Sequence, residues 1–438
     1  MSEEAFIRNV TKRTGNGMML DSDLPVAEAL SFETKPFAAG GESVIFRGSL
    51  NLRKLDAEGY RQLVVPILTH RRLRSVETNG APSALDAWDK KRVIAEELAK
   101  DMKKAELEKE VEKTFSQLGL EGKEIDVVLR FGRMPLYVNG RPKKQDLMLG
   151  LRDDNIVYHF TQGTTKKNDY PYSVIQLMDG MLTPDYTEGK SAKFYLHALK
   201  GIIRGLQRLQ ELGITHRDLK PDNIFYKGNH GRPEVKLADF GIMKVDGVQF
   251  DVRTRTGIAM GTPVYMPPEQ LNSKAANWQS DQFSAGAALY EMISGKNPLC
   301  DDFQTLDTFD LLSRVKNWKR SRPSIATEKN IQIEAIEQML ARMMQEAPHN
   351  RYQSYDDILA DIKRAEKGKL PQHANATGLV DTLFKPGEFT NYYTNRKGMY
   401  RALVGLAIAA AAGGAVTAAR MGCFDKLMPY VEKVKDLF

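Results

Sequence analysis

Four side chains carry the groups that phosphoryl transfer asks for. Asp218, Lys220 and Asn223 lie within GITHRDLKPDN (213–223), and Asp239 lies within ADFG (238–241). Moving a terminal phosphoryl group needs charge neutralisation and in-line positioning far more than covalent help. A site for it combines oxygen ligands for magnesium, a carboxylate aimed at a hydroxyl, and a cation beside the transferred phosphate. Asn223 and Asp239 offer oxygens that suit a hard ion. Asp218 can be the base and Lys220 the cation.

These residues need elements to hold them. Pro221 forbids continuous helix through 218–223, so an extended loop is expected there. IFY (224–226) and VKLA (235–238) flank the turn-rich KGNHGRP, which predicts a hairpin that brings Asn223 and Asp239 to one end. Upstream, Ser191–Leu212 reads as a helix with a serine cap, apolar residues at Leu199, Ile202, Ile203, Leu206 and Leu209, and Gly213 as its stop. Downstream, 280–298 reads as a helix capped by Ser280 and ended by Gly295 and Pro298. Ser83–Leu120 has the spacing of one long charged helix, and Asn139–Gly140 marks a tight turn.

The strings HRDLKPDN and ADFG resemble the catalytic and metal-binding loops of the eukaryotic-type (Hanks-type) serine/threonine protein kinases. GTPVYMPPEQ (261–270) is similar to the end of that family's activation loop, and Asp281 and Arg351 fall where the family anchors the catalytic loop and pairs with a glutamate, here Glu269. Lys220 and Thr262 follow the serine/threonine pattern. The resemblance covers about 31–366 and is strongest from 172 onward. It implies an α+β, bilobal kinase-like fold: an N-terminal arm (1–30), a small β-rich lobe (31–178) with an insertion at about 80–150, and a large helical lobe (179–366). It also implies ATP and Mg2+ as cofactors, a protein substrate, and catalysis by Asp218 and Lys220 with metal on Asn223 and Asp239. The nucleotide would meet Gly40, Gly41 and Val44 in FAAGGESVIFRG, and backbone groups of Gln176 to Met178, with Ile175 as the gatekeeper. DDNIVYHF (153–160) and YSVIQLMDG (172–180) look like the fourth and fifth strands.

The family's small-lobe lysine has no counterpart. One alignment puts that column at Pro66 or Ile67 in LVVPILTHRR (63–72), with His70, Arg71 and Arg72 beyond it. The other puts it at Arg130 in IDVVLRF (125–131). Ser83–Leu120 is then either the family's regulatory helix, with Glu96 or Glu97 as the cation's partner, or a solvated insertion. The missing lysine supports an alternative function, a pseudokinase acting as a binding or scaffold module. A small-molecule phosphotransferase is disfavoured by PPE, Asp281 and Arg351. Thr254 and Thr256 are candidate phosphorylation sites in the activation loop, with Arg217 as the cation a phosphate there would meet.

The 438 residues are 42% hydrophobic and 27% charged, in the range of a folded globular chain. The net charge of +7 is dispersed, so no nucleic-acid partner is expected. Two cysteines, Cys300 and Cys423, argue against a disulfide framework, and no secretory signal opens the chain. A linker (367–401) leads to a stretch without charge, ALVGLAIAAAAGGAVTAA (402–419), with Arg396, Lys397 and Arg401 before it and Arg420 after. This predicts a C-terminal transmembrane helix followed by an amphipathic tail (420–438). The expected location is therefore membrane-associated, with the catalytic part facing the cytoplasm. Gly405, Ala409 and Gly413 would favour self-association of that helix.

Overall fold

Tyr60, Leu63, Val64 and Ile67 recur at i, i+3, i+4 and i+7, the spacing of one helical face. In the computed structural model all four are buried along helix α1 (Ala57–Leu73). LVVPILTHRR is thus helix, despite its β-branched residues, and the strand alignment through Pro66 or Ile67 falls. The structure describes residues 25–33, 35–36, 38–39, 43–73, 84–132, 147–164, 171–228, 231–239, 244–245, 263–272, 276–299 and 330–374.

Among the described residues, five antiparallel strands form the path of the small-lobe sheet: β1 (Leu30–Phe32), β2 (Ser43–Asn51), β3 (Glu124–Gly132), β4 (His159–Thr164) and β5 (Pro171–Gln176). They lie in the order β1-β2-β3-β5-β4, and a two-residue strand, Ala38–Ala39, also pairs with β2. One face of the sheet packs Phe46, Leu129, Phe131 and Val174 against Leu63 and Val64 of α1 and Val111 and Phe115 of the insertion. The expected helix Ser83–Leu120 is two helices, α2 (Ala84–Asp101) and α3 (Lys104–Ser116). The break comes at Lys103, which is extended and donates its backbone N–H to Glu106 at 2.8 Å, a cap that starts a new helix. All three helices lie between β2 and β3. The insertion drawn at about 80–150 therefore begins earlier, after β2, and ends before β3, which sits in the middle of the sheet. The expected fourth strand over 153–160 starts only at His159. Its earlier part runs to the other lobe, where Val157 N–H donates to the Leu237 carbonyl and Leu237 N–H to that of Asn155, both at 2.9 Å.

Gly150 shows why α1 can dock where it does. Its φ is 65°, and a Cβ there would stand 2.7 Å from both the Ile67 nitrogen and the Pro66 Cβ. Only glycine lets this loop lie flat on the helix.

In the large lobe, helix α4 (Ala192–Glu211) starts at Ser191, whose hydroxyl accepts from Phe194 N–H at 3.3 Å. The chain then turns at Gly213, where φ is 66°. Helix α5 (Trp278–Ser294) is buried through most of its length and ends at Gly295, with φ of 70°. Its cap is Asn277, not Ser280: Asn277 Oδ1 accepts from Gln279 and Ser280 at 2.9 and 3.2 Å, while the Ser280 hydroxyl turns to Glu269. Helices α6 (Ile331–Met343) and α7 (Tyr355–Glu366) complete the core. Trp88 of α2 joins this core beside Leu147, Met148 and Leu151.

The start of the expected linker is tied down. The buried Asp361 carboxylate accepts the backbone N–H groups of Gln372, His373 and Ala374 and the hydroxyl of Tyr352. Among the described residues no helix is long and apolar enough to cross a membrane. Residues 402–419, and with them the Gly405–Ala409–Gly413 spacing, lie outside the described residues, as do the tail 420–438 and most of the arm.

Candidate active site

The predicted hairpin forms. Strands β6 (Ile224–Lys227) and β7 (Glu234–Leu237) pair in register from Ile224↔Leu237 to Lys227↔Glu234. Their open end brings the two loops into contact, with Ala238 N–H donating to the Asn223 carbonyl at 3.0 Å. Pro221 opens a single 3-10 turn, Pro221–Asn223, that buries the Asn223 side chain. The Asn223 amide nitrogen donates to the Asp218 carbonyl at 2.7 Å and reaches the Asp218 carboxylate at 3.4 Å, leaving its oxygen as the remaining acceptor. Lys220 Nζ lies 3.8 Å from the same carboxylate. Asp218, Lys220, Asn223 and Asp239 are thus gathered at one place.

Buried polar groups hold this backbone. Asp281, 2% exposed, accepts from His216 N–H at 2.8 Å and Arg217 N–H at 2.9 Å. Burial pushes its carboxyl up to about 6, against the two N–H donors and the charge of Arg217. His216 bridges the loops: Nε2 meets the Ala238 carbonyl at 3.0 Å, and Nδ1 meets Asp218 N–H at 3.4 Å. One tautomer, protonated on Nε2, serves both contacts. Arg217 and Asp239 have φ of 73° and 61°, left-handed values that non-glycine residues adopt at a cost of about 1–3 kcal/mol. Such strain is held in place by the anchors on either side, and no sequence pattern predicts it.

A second anchor lies behind. Arg351, fully enclosed, makes bidentate contact with Glu269 at 2.7 and 2.8 Å, as expected. Its other N–H groups go to the carbonyls of Gln279, Gln345 and Glu346, and the guanidinium lies over Phe283.

The small lobe contributes Arg130. It stands on β3, opposite Ile45 and Ser173 on the neighbouring strands, and donates from Nη1 and Nη2 to the two oxygens of Asp239 at 2.8 and 2.9 Å. Of the two cation columns weighed in the sequence, the sheet thus selects Arg130. Neither Glu96 nor Glu97 is its partner; Glu96 pairs with Arg92 and Glu97 with Lys100 along α2. His159, buried close by, has its pKa pulled down to about 4, by burial and then by the Arg130 charge.

Residues directly opposite in a sheet share a face. Ile45, Val128, Ser173 and Ile175 therefore lie on the Arg130 side. Val44, expected beside a nucleotide, sits opposite Phe131 and is fully buried in the core, while Ile45 stands on the Arg130 side. The Gln176 side chain is also buried in the small lobe, its backbone N–H donating to Tyr158, while Met178 is half-buried where β5 leaves the sheet. Gly40, Gly41, Thr254 and Thr256 lie outside the described residues.

The hard oxygens of Asp239 and Asn223 fit magnesium. Among the described residues no group of three or more His, Cys, Asp or Glu side chains is placed to hold a metal, so an ion on these two residues would fill its other positions with water or with oxygens of a bound ligand.

Comparison with known proteins agrees with this arrangement. Residues 143–361, half of the chain, match the family described as protein kinase domain. Serine/threonine-protein kinase PknB of Mycobacterium tuberculosis is 28% identical over 220 residues, 49% of this chain and 34% of the relative. Serine/threonine-protein kinase Pkn1 of Myxococcus xanthus is 29% identical over 226 residues, 51% of this chain and 31% of the relative. A probable PknB of Corynebacterium glutamicum is 28% identical over 257 residues, covering 56% and 38%. The chain spans about a third of the length of these curated relatives. The matched segment begins after α1–α3 and β3 and contains both catalytic strings and both anchors; by this match, the chain belongs to the protein kinase family.

Proposed function

We propose that this protein transfers the terminal phosphate of ATP to serine or threonine hydroxyls of protein substrates. The observation that carries the reading is the meeting of Asp218, Asn223 and Asp239 at the open end of the β6–β7 hairpin. Asp218 orients the substrate hydroxyl and accepts its proton on the carboxylate. Lys220 steadies the transferred phosphate. Asn223 and Asp239 hold magnesium, which when bound neutralises charge on the phosphates. Ile45, Val128 and Ile175 line the apolar side of the nucleotide site, and backbone groups of Gln176 to Met178 meet the base. The names of the relatives, together with Lys220 and Thr262, support serine and threonine as acceptors.

The test uses the full chain with magnesium, γ-labelled ATP and a protein mixture, beside Asp218→Asn and Asp239→Ala. Label on serine or threonine is expected only in the unaltered protein, with losses of about 100-fold or more in both variants. Near-normal turnover in Asp218→Asn would remove that residue as the base. A second reading, a binding or scaffold module with little catalysis, is favoured by the hold of Arg130 on Asp239. No label from any form, with nucleotide still raising the unfolding temperature, would select it.

The sequence further supports a C-terminal membrane anchor at 402–419, with the catalytic part in the cytoplasm. Arginine at Leu406 and Ala410 is then expected to move the full chain out of carbonate-washed membranes; unchanged pelleting would sink the anchor.

A further inference from the structure

Both oxygens of Asp239 are engaged by one guanidinium, with Nη1 on Oδ1 at 2.8 Å and Nη2 on Oδ2 at 2.9 Å. A magnesium ion binds carboxylate oxygen at about 2.0–2.1 Å. Placed on this carboxylate, it would face a fixed positive charge on the same two atoms. The protein also offers the metal little else. Asn223 adds one oxygen, its amide nitrogen being spent on Asp218, and no three-residue metal cluster occurs among the described residues. A hexacoordinate ion that finds two protein oxygens, one of them contested, is held weakly and keeps mostly water around it.

A polyphosphate resolves both shortages. It presents the guanidinium with paired oxyanions of higher charge than a carboxylate, the geometry that arginine's planar fork fits. Its remaining oxygens would join water as further ligands of the metal. The pair is open enough for the exchange, with side-chain exposures of 27% for Arg130 and 31% for Asp239. The acids of the insertion do not compete for the released arginine, because Glu96 and Glu97 are paired along the surface of α2.

We infer that Arg130 sets the order of assembly: it keeps metal off Asp239 until nucleotide phosphates draw the guanidinium away, so the nucleotide enters before or with the metal, never after it. The inference rests on the reading of Asp239 as a metal ligand. Arg130 acts here as a positioning residue, through Asp239.

Manganese is the probe, followed by water-proton relaxation on the full chain, with no turnover needed. The unaltered protein should bind Mn2+ at least tenfold more weakly alone than with a non-hydrolysable ATP analogue. Arg130→Met, which keeps the stem and removes the charge, should bind Mn2+ alone at least tenfold more tightly than the unaltered protein. Equal Mn2+ binding with and without analogue in the unaltered protein overturns the inference. So does an Arg130→Met protein that matches it. Asp239→Asn separates the two layers. If it keeps nucleotide-dependent Mn2+ binding, the ligand assignment itself fails. If it loses that binding while Arg130→Met behaves as the unaltered protein, the assignment stands and the ordering role falls. Should Arg130→Met not fold, Arg130→Lys serves: with a point contact in place of the fork it should gain Mn2+ affinity, and no gain overturns the inference.

Discussion

Two arginines of this molecule each bind a carboxylate with both ends of the guanidinium, yet they sit in opposite surroundings. Arg351 in the large lobe is fully enclosed, and all its donors are satisfied by Glu269 and three carbonyls. Arg130 in the small lobe is a quarter exposed, and its acid, Asp239, belongs to a loop of the other lobe. The first pair is built into the core of one lobe and has nowhere to go. The second joins the two lobes and, in the proposed order of assembly, exchanges its partner when phosphates enter. The same chemistry thus serves as a fixed brace in one place and an exchangeable contact in the other. Burial decides which.

The brace should be the more costly to break. Arg351→Met leaves Glu269 buried with its charge partner gone and only the Ser280 hydroxyl donating to it, a loss of about 3–5 kcal/mol on urea unfolding. Adding Glu269→Leu should recover most of it, since two apolar groups leave no unpaired charge. An Arg351→Met protein within about 1 kcal/mol of the unaltered chain would mean the pair is no brace. A smaller effect is expected where the small lobe is packed rather than charged. Gly150→Ala combines a left-handed backbone with a Cβ against the Ile67 nitrogen, and should cost about 2 kcal/mol. An unchanged unfolding midpoint would show that α1 yields and is not firmly seated.

The two lobes also differ in how far the sequence reveals them. In the large lobe the site is made of near neighbours: Asp218, Lys220 and Asn223 share one loop, and a short hairpin brings in Asp239, so spacing alone locates them. Glu269, Asp281 and Arg351 are located by the resemblance of their strings to the family's, and the structure makes the contacts that this resemblance implies. The small lobe depends on choices that spacing leaves open. LVVPILTHRR satisfies strand propensity by composition and helix by periodicity, and the core chose the helix. In GGESVIF a shift of one residue exchanges Val44 for Ile45 at the cleft, because the side-chain period of a strand is two. Asn277 and Ser280 are both capping residues three apart: Asn277 Oδ1 caps the helix, and Ser280 closes the capping box by accepting the Asn277 N–H at 3.1 Å while donating to Glu269. That Arg130 would meet Asp239 and not Glu96 depends on where α2 packs, which no local pattern states.

Asp281 offers a gentler way to test the large-lobe side of the comparison. Its carboxyl titrates near 6 in the fold, above the usual 3.8, so the folded state holds this proton more tightly than the unfolded one. The stability that the protonated group contributes is present below about pH 4 and is lost as the pH rises through about 6. Acidifying from pH 7 to 5 therefore should not destabilise the protein through this residue. It should, however, weaken the carboxylate that accepts from His216 and Arg217. The expected result is a fall of a few fold in phosphate transfer below about pH 6 while the unfolding temperature holds. An acid limb that persists in Asp281→Asn would place its origin elsewhere.

The smallest stability effect is expected at the exchangeable contact. A partly exposed ion pair contributes about 0.2–1 kcal/mol, because the charges remain solvated and the side chains give up freedom to hold one geometry. Arg130→Met should therefore change unfolding stability by less than about 1 kcal/mol, several-fold less than Arg351→Met, although each arginine makes a bidentate contact. The ratio matters more than either value. A contact that has to be surrendered on every nucleotide arrival cannot be expensive to break, or the phosphates would spend their binding energy on opening the site. If Arg130→Met proved as damaging as Arg351→Met, the cleft pair would be a brace as well, and the difference between the lobes would lie in position alone.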